Sequence, residues 1–298
     1  MRYELSGKVV LVTGAARGIG EATARALAAR GARLALVGLE PERLQALAEE
    51  LGAGHLWFEC DVTDQAALDR AVAATTGVLG GIDVVVANAG IGSFGSVART
   101  PVEAQARVIE VNLIGVLRTV AATLPQVTAR GGYYLLVSSA AALAALPGLA
   151  AYAASKSGVE QLGHALRLEL FAAGVGVGLA HPGLIDTDLV RDARDDLAAF
   201  DGMVSRLPGP FRTVTSPAEC AAALVDAIEQ RRRKVFVPRS LAFVSVLRSL
   251  LASPLAERVL LHRVKRLLPE LERQAAAIGR PFGANSVETR KKTAPRSG

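Results

Sequence analysis

Cysteine is scarce in this sequence. The two present among 298 residues, Cys60 and Cys220, cannot build a disulfide framework, and neither sits in a CxxC or Cys/His cluster. Histidine is equally thin: His55, His164, His181 and His262 are scattered, so no metal site is expected. No run of 18 or more uncharged apolar residues occurs, so no membrane span is expected. The opening MRYELSGKVVLVTG has too short an apolar run for a signal peptide, and no small-residue cleavage site follows it. No internal repeat is visible. These absences fit a reducing, cytoplasmic setting.

Apolar residues make up 51% of the chain, too many for a disordered protein. The net charge of +6 conceals a split. Residues 1–230 carry 18 Lys and Arg against 24 Asp and Glu, a net −6, whereas residues 231–298 carry 16 against 4, a net +12. A body with a basic tail, which has a partner of its own, is the implied layout.

Short apolar runs alternate with longer helical patterns. Strands are expected at Val9–Val12, Leu34–Val37, His55–Cys60, Ile82–Ala87, Tyr134–Ser138, Val175–Ala180 and Val235–Val237. Helices are expected near Ile19–Arg30, Pro41–Leu51, Gln65–Val78, Val102–Thr123 (broken before Pro125), Ala151–Ala172 and Pro217–Gln230. Continuous apolar strands alternating with helices mean a parallel sheet covered on both faces. The fold class is therefore α/β, a Rossmann-type doubly wound parallel sheet of about seven strands with a C-terminal helical extension. Leu184–Ser216 breaks the rhythm with Asp186, Asp188, Asp192, Asp195, Asp196 and a Leu-Pro-Gly-Pro run. A loop of that length after a strand end reads as a lid or binding segment, its acids forming a solvated face.

Residues 13–20 read TGAARGIG, directly after the first strand and opening the first helix. Gly14 permits a tight turn, Gly18 lets the backbone approach a pyrophosphate, and Gly20 lets the helix pack on the strand. The helix start beyond them, at Ile19, offers unpaired amides and a positive dipole end to an anion.

The spacing Gly-x-x-x-Gly-x-Gly resembles that of the short-chain dehydrogenase/reductase family, and further segments match in order. Asp61 and Val62 resemble the pair that contacts adenine. Asn88, Ala89 and Gly90 resemble the Asn-Ala-Gly motif that steadies the sheet and flanks the adenosine ribose. Pro182 and Gly183, with Ile185 and Thr187, resemble the segment that holds the nicotinamide carboxamide. Ala87 stands where the family often has another asparagine. The resemblance covers roughly residues 5–238 and implies an NAD(P)-binding domain over 1–238.

The nucleotide is read from the end of the second strand. Enzymes using NAD place an acid there for the ribose 2′-hydroxyl, and here Gly38 takes that place. Arg17 is positioned to pair with a 2′-phosphate. Against this, Leu39 stands where NADP-preferring relatives often carry a base, and Glu40 can turn in toward the ribose. NADP(H) is favoured, with NAD(H) as the alternative.

Residues 152–156 read YAASK. Tyr152 and Lys156 stand four apart, on one helix face. A tyrosine near its ordinary pKa of ~10 is a poor base, and a neighbouring ammonium lowers that value. Tyr152 then exchanges a proton with an alcohol or carbonyl. Ser139, thirteen residues earlier, is placed to hold the substrate oxygen, while Ser138 is expected to face the other way. The resemblance gives Asn112 the role of opening its helix and binding a water in a proton relay, and gives Lys156 a contact with ribose. His181 is assigned to shaping its strand end.

After Val237 come an apolar stretch, Ala242–Leu251, and a helical pattern in which Leu255, Val259, Leu260, Val264, Leu267 and Leu268 alternate with Arg258, His262, Arg263, Lys265 and Arg266. Residues 239–280 thus form a basic amphipathic extension, and 281–298 read as a disordered tail. Packing on the body or on a second subunit competes with peripheral contact to an anionic membrane. Nucleic acid is not expected, because no aromatics interleave with the bases.

The sequence therefore implies an oxidoreductase interconverting an alcohol and a ketone or aldehyde of a lipophilic compound, in a homodimer or homotetramer. A 3-oxoacyl thioester reductase is the rival within enzymes. A non-catalytic nucleotide sensor or lipid-tethered scaffold is the rival from another class.

Overall fold

The structure, a computed structural model, describes residues 2–286 apart from 145–146, 197–201, 203, 206–208 and 252. Seven parallel strands form one sheet: β1 (Val9–Thr13), β2 (Arg33–Gly38), β3 (Leu56–Glu59), β4 (Val84–Ala87), β5 (Tyr133–Val137), β6 (Gly176–Pro182) and, last in chain order, β9 (Lys234–Val237). Their order in space is β3-β2-β1-β4-β5-β6-β9. The order reverses between β1 and β4, and this is where a crevice opens at the carboxyl ends of the strands.

Burial on two sides explains the apolar runs. Val10, Val12, Leu34 and Leu36 point to one face, against Leu27 of α1 (Gly18–Ala28), Leu44 of α2 (Pro41–Leu51) and Leu224 of the helix Pro217–Glu229. Val9, Leu11, Ala35 and Val37 point to the other. There they meet Leu68 of α3 (Gln65–Leu79), Val120 of α5 (Gly115–Ala129) and Val159 of α6 (Ala150–Glu169). Only the edge strand β3 alternates between half-buried and exposed side chains, as one-sided cover demands.

The helix expected to break before Pro125 does not. It runs as α4 (Val102–Ile109), a π turn (Glu110–Ile114) and α5, which carries Pro125 inside it and ends at Ala129. Burial of Val127 in the core holds the last turn on the sheet. By length and composition this run could cross a membrane, but its apolar side chains Val108, Val111, Val116, Val120 and Val127 are buried in the protein.

The segment expected as a loop contains β7 (Leu184–Ile185), α7 (Asp188–Asp196), α8 (Gly209–Arg212) and β8 (Val214–Thr215), with β7 and β8 paired. Its acids are a solvated face only in part: Asp195 is exposed and Asp186 lies at the surface with Arg191, but the others are engaged. Asp192 is buried, Asp188 pairs with Arg17, and Asp196 pairs with Arg280. In the extension, two short helices (Leu241–Val246 and Arg248–Leu251) precede a long one, Pro254–Ile278. The side chains of Leu255, Val259, Leu260, His262, Arg263, Arg266 and Leu267 lie outside the described residues.

The tail reading needs correction at its start. Residues 281–286 are placed against the body, with Phe282 buried. An aromatic side chain with an apolar cluster to enter gains more by docking than by staying in water. Residues 287–298 lie outside the described residues.

Candidate active site

At the switch point the carboxyl ends of β1, β4, β5 and β6 border a cleft of about 350 Å³. Its walls include Gly14, Arg17, Gly18, Ile19, Asp61, Val62, Asn88, Ala89, Gly90, Ser139, Tyr152, Lys156, Pro182, Gly183, Ile185 and Thr187. Gly20 and Asn112, also singled out from sequence, stand behind this wall.

The glycine loop is bare by necessity. Gly14 and Gly18 have φ of +66° and +57°, and a Cβ on Gly20 would lie 2.1 Å from the Gly14 carbonyl oxygen. Arg17 precedes α1 without capping it by its side chain, so the first amides of the helix face the cleft without a side-chain cap. A small-residue loop feeding an uncapped helix start fits a pyrophosphate. Asn88 ties this loop to β4. Its Nδ2 donates to the carbonyls of Thr13 (3.0 Å) and Gly14 (3.3 Å), and its N–H donates to Thr13 Oγ1.

Arg17 is engaged by an acid from beyond β2. Its Nε donates to Glu40 Oε2 at 2.7 Å, and its Nη2 lies 2.6 Å from Oε1. Glu40 lines the cleft beside Gly38 and Leu39. At Gly38 an added Cβ meets only ordinary contacts, Leu44 at 3.5 Å and Ala16 at 3.6 Å, so sterics do not demand glycine there.

Asp61 accepts from the N–H and hydroxyl of Thr63 and from Arg107 Nη2 at 2.9 Å. Burial pushes its carboxyl up, but these donors outweigh burial and hold it below the usual carboxylate range. Arg107 was not foreseen. Nothing in its local sequence marks it, and its partner lies 46 residues away.

Ser139, Tyr152 and Lys156 come together around the end of β5. Ser139 faces the cleft, its Oγ accepting from the Ala141 N–H at 3.1 Å, and its hydroxyl lies close enough to the Tyr152 phenol to act on its acidity. Ser138 donates instead to the Lys156 carbonyl at 2.7 Å, which fixes α6 to the strand. Lys156 Nζ donates to the Val137 carbonyl at 3.0 Å and lies 5.8 Å from the centroid of the Tyr152 ring. Burial lowers the ammonium to about 8. Burial also raises the Tyr152 phenol above its ordinary value, and the Ser139 hydroxyl only partly offsets this.

Asn112 lies in the π turn, fully buried. Its Oδ1 accepts from the Ile91 N–H at 2.8 Å, and its Nδ2 donates to the Ile91 carbonyl (2.9 Å) and Ser155 Oγ (3.1 Å). One wider helical turn thus lets a side chain brace the loop after β4. His181 points away from the cleft, stacked on Phe236, with Nε2 3.5 Å from Glu160 Oε1.

The model of the short chain dehydrogenase family matches residues 8–198. The chain is 41% identical over 231 residues to glycine betaine reductase ATRR of Emericella nidulans, covering 76% of this chain but only 18% of that protein. It is 34% identical over 209 residues to the 3-oxoacyl-(acyl-carrier-protein) reductase of Escherichia coli, covering 70% of this chain and 84% of that one. A Burkholderia phymatum short chain dehydrogenase/reductase, solved in complex with NAD, superposes with a TM-score of 0.72 at 26% identity, over 81% of this chain and 93% of that one. With its glycine loop, its Asn-Ala-Gly turn and its paired Tyr152 and Lys156 gathered at one switch point, the chain belongs to the short-chain dehydrogenase/reductase family of NAD(P)-dependent oxidoreductases.

Proposed function

We propose that this enzyme interconverts an alcohol and a ketone or aldehyde of an apolar substrate. The observation that carries the reading is the setting of Tyr152 and Ser139. They lie in a cleft walled by Phe94, Leu149, Leu184, Leu189, Val204 and Phe211. Such walls favour a lipophilic compound over a polyol.

A bound nicotinamide dinucleotide supplies or accepts the hydride. The uncapped amides from Gly18 onward hold its pyrophosphate, and Asp61 and Val62 border the adenine. Asn88, Ala89 and Gly90 line the adenosine ribose. Pro182, Gly183, Ile185 and Thr187 seat the carboxamide. Tyr152 gives its proton to the carbonyl oxygen in reduction and takes one from the alcohol in oxidation. Ser139 holds that oxygen by a hydrogen bond, so the proton travels a short, fixed path. Lys156 contacts the ribose, and its ammonium favours the phenolate. Asn112 anchors the relay that returns protons from solvent.

Glu40 supports NAD(H) over the NADP(H) that the sequence alone favours. It is an acid lining the cleft past β2, and it occupies the arginine that a 2′-phosphate would need. A second reading, reduction of a 3-oxoacyl thioester, draws on the similarity to the Escherichia coli reductase. Exposed Phe243, Val246 and Leu250 in a basic segment support peripheral contact with anionic lipid, which vesicle sedimentation checks. Light scattering checks the homodimer or homotetramer.

The deciding experiment is a panel of lipophilic carbonyls, 3-oxoacyl thioesters and small polyols, each run with NADH and NADPH or their oxidised forms. Turnover of polyols alone overturns the apolar-substrate reading.

A further inference from the structure

Beyond the long last helix the chain turns back across the cleft. Phe282 anchors it. The side chain is buried in a cluster with Ala104 and Val108, against which Tyr152 also packs, and its backbone pairs with Ser93 in the loop after β4. Gly283 lies so close to α7 that a Cβ would stand 2.3 Å from Asp192 Oδ2. Asn285 then takes both oxygens of that carboxylate, donating its N–H to Oδ2 (2.9 Å) and its Nδ2 to Oδ1 (2.6 Å). The Asn285 carbonyl accepts from Arg17 Nη1 at 2.6 Å. Arg280 pairs with Asp196 one turn further along α7, at 2.6 Å.

Seven residues thus join three walls of the cleft: the glycine loop, the loop after β4 and α7. Gly283, Asn285 and Ser286 themselves line it. Asp192 is buried and meets two donors from this segment, so the carboxylate acts as a latch. Around the Phe282 anchor the segment is held by hydrogen bonds and an ion pair. A segment held in this way opens far more often than the whole fold does. None of it falls within the stretch, residues 8–198, that matches the family.

We propose that residues 280–286 form a strap that closes the cleft over the bound dinucleotide. It must release Asp192 before the nucleotide leaves, so this chain's own C-terminal segment sets the rate of cofactor exchange. The proposal rests on the dinucleotide reading above.

The test is stopped-flow release of NADH and NADPH, followed by fluorescence. Four variants are compared with wild type: Asn285→Ala, Gly283→Val, a deletion of 280–298 and a deletion of 287–298. The first three are expected to release nucleotide about tenfold faster or more, because lost closing contacts show mainly in the off-rate. The deletion of 287–298 keeps the strap and should match wild type. Melting temperatures near the wild-type value, together with increased deuterium uptake at 188–196, separate strap opening from misfolding. Unchanged release in all four overturns the strap, and so does slower release in the first three, which would mean that the segment competes with the nucleotide. A wild-type chain that binds neither nucleotide overturns the dinucleotide reading itself, and the strap with it.

Discussion

Arg17 and Glu40 meet in a two-point ion pair, with Nε 2.7 Å from Oε2 and Nη2 2.6 Å from Oε1. The glycine-loop arginine is thus held by an acid two residues beyond β2. Glu40→Gln removes the charge that repels a 2′-phosphate and loosens one edge of the guanidinium toward it, although Nη1 keeps Asp188 and the Asn285 carbonyl as partners. The ratio of dissociation constants is expected to move toward NADP(H) by tenfold or more, about 1.4 kcal/mol. Adding Arg17→Ala should reverse that gain. Fluorescence titration with both nucleotides checks it, and an unmoved ratio removes Glu40 from cofactor selection.

Tyr152 and Ser139 are the groups placed to touch the reacting oxygen. Tyr152→Phe keeps the ring packed and removes only the proton donor. Turnover is expected to fall about 10²- to 10⁴-fold, with nucleotide binding retained. Ser139→Ala should cut turnover similarly and leave the melting temperature near wild type. Retained turnover in Tyr152→Phe would move the acid–base role elsewhere.

Lys156 makes the fold pH-dependent. Burial lowers it from an ordinary 10.5 to about 8. Between those values the unfolded chain holds a proton that the folded chain releases, so stability rises with pH through that window. Below about 8 both states are protonated and the full penalty of the buried charge applies. Lys156→Met should therefore stabilise the fold at pH 7 by about 1–3 kcal/mol, less than the pKa gap alone would give, because the Val137 carbonyl loses its donor. The gain should fade between pH 8 and 10.5, while turnover is lost. Urea unfolding at pH 7 and pH 10 measures both, and destabilisation at pH 7 would contradict the argument.

Much of this was legible in the sequence because it is local. Two-sided burial writes β1, β2, β4 and β5 as apolar runs, and the glycine loop and Tyr152–Lys156 are fixed by spacing within one turn or one helix. What sequence does not carry is pairing across distance. Arg107 with Asp61, Glu40 with Arg17 and Asn285 with Asp192 are polar residues of ordinary local context, and only the fold brings them together. The tail read as disordered because its composition is polar. Its one aromatic, Phe282, matters through a pocket that other elements build.

Glu160, one turn after Lys156 on α6, joins the reaction helix to the extension. Its side chain is 5% exposed, and it meets Lys234 Nζ at 3.1 Å, Arg248 Nη1 at 2.8 Å and His181 Nε2 at 3.5 Å. Contact with His181, then Lys234, holds its carboxyl well below the usual carboxylate range, against the opposing effect of burial. An acid depressed in the folded state stabilises fully above its unfolded value near 4.5, and that contribution is lost as pH falls toward the folded value. Glu160→Gln removes the carboxylate from Lys234 and Arg248, which are themselves partly exposed and can be hydrated, and should cost about 1–3 kcal/mol at pH 7. The deficit should narrow below about pH 4.5. Arg248→Ala should cost under about 1 kcal/mol, because that side chain is 46% exposed and its pairing is screened by water. Urea midpoints of both variants at pH 7 and pH 4 decide the matter. Equal losses would mean that the extension, and not the buried carboxylate, is the stabilising partner.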